Sequence, residues 1–168
     1  MHGISIDNPD LKILADAFLK EGKSIRFMAH GSSMSPFIRD GDYLMVSPVK
    51  AEAVRLGDVV LAFLQDKVES NGAEEIFASK VVAHRIVRVE NKAGHPKVFV
   101  LKGDALPGQG DRITPGGLLG RVESFERDGK KIMVNSFRNR MFTFYLVYLR
   151  KFFVGLKGLF RKAGSFFL

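Results

Sequence analysis

The sequence contains no cysteine and no tryptophan among its 168 residues. Without thiols the chain can form no disulfide and offers no thiolate to a metal ion, although this absence does not identify a cellular compartment. No window of about 18 uninterrupted apolar residues occurs, so the sequence predicts no ordinary transmembrane helix. Residues 1–7 lack a basic start followed by an apolar run, and we expect no secretory signal. These absences predict a protein that is cytoplasmic or peripheral to a membrane.

Acidic residues are missing from the end of the chain, since all 18 of them lie at or before Asp128. Residues 1–128 hold 17 Lys and Arg and therefore carry a net charge of −1, whereas residues 129–168 hold nine and carry +9. The pI of 9.8 thus reflects a basic tail and not a basic domain. Hydrophobic residues make up 46% of the chain, enough for the core of one ordinary domain.

Residues 9–21 carry the signals of a short N-terminal helix. Asn8 or Asp7 can cap it, and Pro9 suits its first turn. An apolar face repeats at the helical period and comprises Leu11, Leu14, Ala17 and Phe18. We therefore expect a helix that ends near Gly22.

After this helix, apolar and β-branched runs alternate with turn residues, as is typical of an all-β domain. The predicted strands lie at residues 25–29, 43–47, 59–64, 80–90, 97–102, 118–127 and 131–137. Residues 103–117 are rich in glycine and proline and are predicted to form a long irregular loop. Short strands at this spacing predict a mainly β fold, a small and strongly bent antiparallel sheet or barrel.

Residues 141–168 differ in kind, because aromatic and aliphatic residues fall on one helical face and Lys and Arg on the other. This basic amphipathic pattern has three interpretations: contact with a membrane surface, packing on the domain or a partner, and contact with nucleic acid. The aromatic apolar face favours a peripheral membrane contact, and no nucleic-acid motif accompanies the charge. The predicted organisation is a lead-in with the helix at 1–24, a β-domain at 25–137 and a basic C-terminal segment at 138–168.

Three polar features could supply a reactive site. Ser33 lies in a turn between Gly31 and Pro36, and His84 lies inside a β-branched strand. The glycine-rich loop carries two carboxylates, Asp104 and Asp111. A serine is a weak nucleophile that needs a base within hydrogen-bond reach, histidine is the usual base, and a carboxylate orients the imidazole.

The motifs around these residues resemble those of the type I signal peptidases, which share a β-fold with the self-cleaving repressors of the LexA kind. Five segments match in order: the Ser-Met-x-Pro nucleophile box at 31–36, the box at 39–42, the Gly-Asp strand start at 56–60, the base box at 84–87, and the last box at 102–104, 111–112 and 119–122. The resemblance covers about residues 25–127. His84-Arg85 stands where most bacterial members carry Lys-Arg, which places the chain with the Ser/His/Asp members.

The resemblance implies a role for each matched residue. Ser33 would be the nucleophile, His84 the general base and Asp111 the acid that orients His84, while Asp104 would be structural or would assist. Residues of the nucleophile box would bind substrate or the oxyanion, namely Ser32, Met34 and Pro36. No metal and no cofactor is implied. The implied substrate is a peptide or protein with a leader or signal-like segment, bound beside a strand, with small residues before the scissile bond.

Two departures from the family pattern affect these expectations. Family enzymes have an N-terminal transmembrane helix, and none is predicted in this sequence. Some members also place an oxyanion-binding hydroxyl where this chain has Gly31, so the backbone N–H of Ser33, with Ser32, would receive the oxyanion. Loss of one oxyanion donor typically lowers the rate by about 100-fold to 1,000-fold, so modest activity is expected.

Other interpretations stay open. His30 is assigned a structural role, and Lys80 is a candidate base if a Ser/Lys dyad operates, because an even offset in a strand keeps it on the face of His84. The fold could instead serve a catalytically degenerate module that binds a peptide or partner. Autoproteolytic regulation is the third hypothesis, and no DNA-binding segment is evident ahead of the predicted domain. The oligomeric state is left open.

Overall fold

The computed structural model describes residues 9–69, 75–91 and 93–135, with side chains described at 12–65, 80–91 and 93–135. The chain begins with one α-helix, α1, at Pro9–Lys20. Eight strands follow within the described ranges: β1 Ile25–Met28, β2 Tyr43–Ser47, β3 Val59–Glu69, β4 Glu75–Glu90, β5 Val98–Lys102, β6 Asp111–Ile113, β7 Leu118–Arg127 and β8 Lys130–Met133. The predicted C-terminal helix at 141–168 lies outside the described residues.

All eight strands belong to one curled antiparallel sheet, a half-barrel. Its order is β1-β2-β7-β3-β4-β5-β6, and β8 pairs with β7. β7 is the centre of the sheet, because its first half pairs with β3 and its second half with both β2 and β8. The prediction of a mainly β, bent antiparallel fold is confirmed at this level.

The main core cluster lies along the long hairpin formed by β3 and β4 and extends across β5 and β6. Consecutive residues are buried at 59–62, 83–86 and 99–101, so both faces of these strands are covered along those segments. The main cluster comprises Val54, Val60, Ala62, Leu64, Ile86, Phe99, Leu101 and Ile113. Burial of these side chains, each stabilising by roughly 1.5–3 kcal/mol, fixes the register of the strands that carry the polar residues.

The helix α1 packs on the sheet through a different face from the apolar one read in the sequence. Ala15 and Leu19 are buried, whereas Leu14 and Phe18 are exposed. The four-residue spacing of Ala15 and Leu19 places both on one side of the helix, against β4, β7 and β1. Only a narrow stripe of the helix is therefore buried against the sheet, and most of the predicted apolar face is exposed at the surface.

Four strand predictions were correct to within one residue, and those for β3, β4 and β8 differ by more. β3 and β4 extend to Glu69 and back to Glu75, farther than the apolar runs indicated. The loop predicted at 103–117 contains the short strand β6, and β8 ends at Met133. No helix within the described ranges is both long enough and apolar enough to cross a membrane.

Candidate active site

The serine turn connects β1 to β2 and is fixed at both ends by hydrogen bonds. The backbone N–H of Ala29 donates to the carbonyl of Asp42 at 2.7 Å, and that of Gly41 donates to the carbonyl of Ala29 at 2.9 Å. Gly31 adopts a φ of 88°, a left-handed conformation that favours glycine, and its N–H donates to Asp40 Oδ1 at 2.8 Å. The turn that carries Ser33 is thus held by local contacts.

A partly buried ion pair also supports this turn. The carboxylate of Asp42 is almost fully buried and accepts two bonds from Arg127, at 2.9 and 2.6 Å. It also accepts a bond from the backbone N–H of Arg39 at 2.8 Å. Arg127 reaches on to the carbonyl of Phe37 at 2.9 Å. The Arg-Asp-Gly-Asp segment read in the sequence therefore connects the turn to β7.

The structure brings Ser33 and His84 together although 51 positions separate them. The half-buried Oγ of Ser33 lies 3.3 Å from Nε2 of His84. His84 lies on β4, where it pairs with Val60 of β3, and only 5% of the residue is exposed. A hydroxyl and an imidazole at this distance can exchange a proton after a small rotation of the hydroxyl.

Asp111 is the acid that faces the other nitrogen of the ring. Its Oδ2 lies 3.8 Å from Nδ1 of His84, beyond hydrogen-bond length, and its side chain is 41% exposed. Nδ1 of His84 is buried and has no hydrogen-bond partner among the described residues. Burial lowers the pKa of His84 below its ordinary value of 6.5, Asp111 opposes this shift, and Lys80 adds to it. The net result favours the neutral imidazole, the form that accepts a proton.

Asp104 has a different partner. Its two carboxylate oxygens accept bonds from Nε and a terminal nitrogen of Arg85, at 2.8 and 2.7 Å, and both side chains are buried. Arg85 also donates to the carbonyl of Gly57 at 3.0 Å, and its guanidinium lies over the ring of Phe37. We call the bonded pair of Arg85 and Asp104 the buried clamp.

The buried clamp reaches Ser33 through the loop that follows β5. The backbone N–H of Ala105 donates to the carbonyl of Ser33 at 2.9 Å. Gly103 approaches that carbonyl so closely that an added Cβ would lie 2.6 Å from it. The residue next to His84 is therefore tied through Asp104 to the backbone of Ser33. The sequence placed Arg85 in a matched box but gave it no role, although a charged residue inside a β-branched strand is the signal of a buried pair.

The remaining predicted positions are spread over the turn and β4. Met34 is buried, whereas Ser32 and Pro36 are exposed at the surface of the turn. Lys80 lies on β4 and influences His84 through its charge. No group of three or more potential metal-ligating side chains occurs in the part of the chain that the structure describes.

A pocket of about 130 Å³ opens beside Ser33, between residues 29–31 and residues 81–83. The β4 segment that lines it pairs with β3 on one side, whereas pairing with β5 begins only at Arg85. Within the described strands, the other edge of β4 ahead of Arg85 thus has no paired strand. An extended peptide could add to that edge through main-chain hydrogen bonds.

Comparison of the chain with family models, curated proteins and solved structures gives no match.

Proposed function

We propose that the protein is a serine endopeptidase of the signal peptidase type that cleaves a leader or signal-like peptide. The observation that carries the proposal is the 3.3 Å approach of Ser33 Oγ to Nε2 of a buried histidine. A pocket and an unpaired strand edge lie beside the same hydroxyl. These are the parts that acyl transfer to a serine requires.

In this mechanism the Ser33 hydroxyl attacks the carbonyl carbon of the scissile bond while Nε2 of His84 removes its proton. The backbone N–H of Ser33 stabilises the resulting oxyanion. His84 then returns the proton to the leaving amine as the C–N bond breaks, which leaves an ester on Ser33. A water molecule, deprotonated by His84, hydrolyses this ester and regenerates the serine.

Asp111 stabilises the imidazolium that forms in each of these steps. Its carboxylate lies on the Nδ1 side of the ring, where an N–H of the neutral imidazole would point. Because the two groups are 3.8 Å apart and Asp111 is partly exposed, Asp111 interacts with the ring of His84 more weakly than it would through a direct hydrogen bond. A modest movement of Asp111 when substrate excludes water would close this distance, in keeping with the looser geometry of free enzymes.

Covalent labelling of the full-length protein tests the proposal directly. A fluorophosphonate probe should modify Ser33, and a peptide mixture should be cut, in the parent protein. Ser33→Ala and His84→Ala should lose both activities, whereas Ser35→Ala, a serine of the same turn, should retain them. Modification that persists in Ser33→Ala, or equal reactivity of the parent and His84→Ala, would exclude the mechanism.

A second candidate function is a peptide-binding module with the same fold that does not cut. The observation that favours it is the buried Nδ1 of His84, which lacks a hydrogen bond within the described residues. Peptide binding retained in Ser33→Ala with loss of cleavage supports the enzyme. Binding without cleavage in the parent, together with an unchanged cellular phenotype of Ser33→Ala, supports the module.

Peripheral membrane contact through residues 141–168 is a separate proposal that rests on the amphipathic sequence pattern. Flotation with anionic liposomes should recover the full-length protein and should recover less of a version that ends at residue 140. Equal recovery of both proteins would remove this proposal and would leave the proposed catalysis unaffected.

A further inference from the structure

The position of Asp111 depends on β6, a strand of three residues that begins with Asp111 itself. Among the described strands β6 pairs with β5 alone, and in that pairing Asp111 lies opposite Leu101. Because β5 separates β6 from β4, the distance between Asp111 and His84 depends on how closely the start of β6 approaches β5. A strand this short forms few ladder hydrogen bonds that could fix the approach.

Gly110, the residue before Asp111, allows this approach because it has no side chain. Its φ is 90°, in the left-handed region that favours glycine. A Cβ added to Gly110 would lie 2.3 Å from the carbonyl oxygen of Leu101, a distance that non-bonded atoms do not reach. The atom in the way belongs to the backbone and not to a flexible side chain, so the start of β6 would have to move away from β5.

Gly108 lies two residues earlier in the same loop and provides a comparison. Its φ is 89°, nearly the same as that of Gly110, but a Cβ there meets no described atom within 4 Å. Its carbonyl accepts a bond from Nζ of Lys102 at 2.8 Å, which an added Cβ leaves in place. The two glycines therefore share the same backbone strain and differ in the clash with Leu101.

A second contact holds β6 on the other side of Asp111. The guanidinium of Arg112 donates to both carboxylate oxygens of Glu90, one of these bonds being 3.2 Å long. Glu90 is the last residue of β4, the strand that carries His84. Arg112 is exposed, so this pair contributes less to the position of β6 than the backbone contact of Gly110 does.

We propose that Gly110 is a positioning residue, which holds Asp111 beside Nδ1 of His84. It does so by letting the start of β6 lie against the backbone of Leu101. The motif resemblance gives Gly110 no role, so the inference goes beyond the proposed function, although its kinetic consequence rests on that function. Asp111 already lies 3.8 Å from Nδ1, and a further displacement into solvent would remove most of its effect on the ring.

The pKa of His84 reports where Asp111 lies. Burial has the largest effect and lowers this pKa, Asp111 raises it, and Lys80 and Asp104 lower and raise it respectively. Lys80 lies on β4 and Asp104 is bonded to a residue of β4, so a movement of β6 changes mainly the contribution of Asp111. A merely structural role of Gly110 would affect stability and would leave the pKa of His84 in the folded protein unchanged.

The test is an NMR titration of the imidazole signals in the full-length protein, where the His84 signal is the one absent from His84→Gln. Asp111→Asn gives the shift expected for complete loss of the carboxylate. Gly110→Ala should lower the pKa of His84 by most of that shift and should lower kcat/KM about tenfold, with KM little changed. Gly108→Ala, the matched control, should leave both at the parent values.

Arg112→Gln tests the same placement if Gly110→Ala does not fold. Loss of the positive charge of Arg112 would by itself raise the pKa of His84. Displacement of Asp111 would lower it. A fall in Arg112→Gln therefore supports the inference, whereas a rise or no change contradicts it.

The inference would be overturned if Gly110→Ala left the pKa of His84 unchanged, or if Gly108→Ala lowered it equally. The absence of a shift in Asp111→Asn would also overturn it, because Asp111 would then not act on His84. Labelling of Ser33 in the parent would still support the proposed function in each of these cases. Conversely, a shift in Gly110→Ala but not in Gly108→Ala, in a protein that never cleaves, would retain the role of Gly110 and reject the peptidase.

Discussion

His84 and Arg85 are neighbours on one strand, yet their polar contacts differ in every respect. Arg85 makes two short bonds to Asp104, and both side chains are buried. His84 lies 3.3 Å from Ser33 and 3.8 Å from a half-exposed Asp111, and one of its nitrogens has no described partner. Adjacent residues point to opposite faces of a strand, so β4 serves a rigid clamp on one face and a loosely bonded pair on the other.

Because of this difference, we expect Asp104 and Asp111 to have separate roles. Asp104 has its oxygens committed to a buried guanidinium and holds the loop against the backbone of Ser33. Asp111 is partly exposed to solvent and lies close to the ring of His84. Its negative charge favours the protonated form of His84 and so raises the pKa of that residue. We therefore expect Asp104 to determine stability and Asp111 to determine reactivity.

The largest expected effect is on folding. Asp104→Asn leaves a buried guanidinium without its charge partner, which should lower the free energy of unfolding by about 3–5 kcal/mol. Asp111→Asn should lower it by less than about 1 kcal/mol, because the pair is weak and partly exposed. Urea unfolding of the full-length variants measures both values. Equal losses would contradict the division between the two acids.

The next effect is on rate. Asp111→Asn removes the carboxylate that stabilises the imidazolium of His84, and kcat/KM should fall about 100-fold, equivalent to about 2.7 kcal/mol. Asp16→Asn is the control, since Asp16 lies on α1 and pairs with Lys20. Full activity in the Asp111 variant would show that Ser33 and His84 work without this acid.

A smaller effect tests the contact between the loop of the buried clamp and the backbone of Ser33. Gly103→Ala forces a Cβ to within 2.6 Å of the carbonyl of Ser33, so the loop must shift, at a cost of about 1–3 kcal/mol. Cleavage should slow, and the free energy of unfolding should fall. Gly116→Ala is the matched control, because a Cβ there meets nothing closer than 3.9 Å. Identical behaviour of the two variants would show that the loop yields freely.

The smallest effect concerns pH. Burial lowers the pKa of His84 below 6.5, so the acid limb of kcat/KM should lie below pH 6.5. Lys80→Met removes a repelling charge and should move this limb to higher pH, whereas Asp111→Asn should move it lower. Lys20→Met on α1 should leave it in place. If Lys80→Met leaves the acid limb of kcat/KM at the same pH, a group other than His84 is responsible for that limb.

The same shift predicts a linked change in stability. The unfolded chain protonates His84 near pH 6.5, whereas the folded protein resists protonation until lower pH. The contribution of His84 to stability should therefore be present above pH 6.5 and decrease as the pH falls through the folded pKa. When the free energy of unfolding of His84→Gln is measured against pH, it should not show this decrease below pH 6.5.

The sequence was informative where one local rule decided the structure. The apolar runs of β2 and β7 were bounded correctly because turn residues flank them on both sides. The buried face of the helix was predicted wrongly. Ala15 and Leu19 are buried because they are the residues that contact the sheet, and the more apolar face of the helix is exposed. The short β6 was missed because its three residues lie inside a loop rich in glycine.

The candidate site divides in the same way. Motif order singled out Ser33, His84 and Asp111, and the fold brings them close together. The residues by themselves left the choice between Asp104 and Asp111 open, since both carboxylates follow the same predicted strand, and only the motif resemblance favoured Asp111. What separates their environments is Arg85, a partner that becomes visible only when β4 and the loop after β5 are adjacent.

The rate of Ser33 acylation by a fluorophosphonate, followed by mass spectrometry from about pH 5 to about pH 9, tests the central claim most directly. If neutral His84 activates Ser33, the parent protein reacts rapidly above an acid limb that lies below pH 6.5, and His84→Ala reacts slowly at every pH. Equal rates in the two proteins across this range would contradict the account.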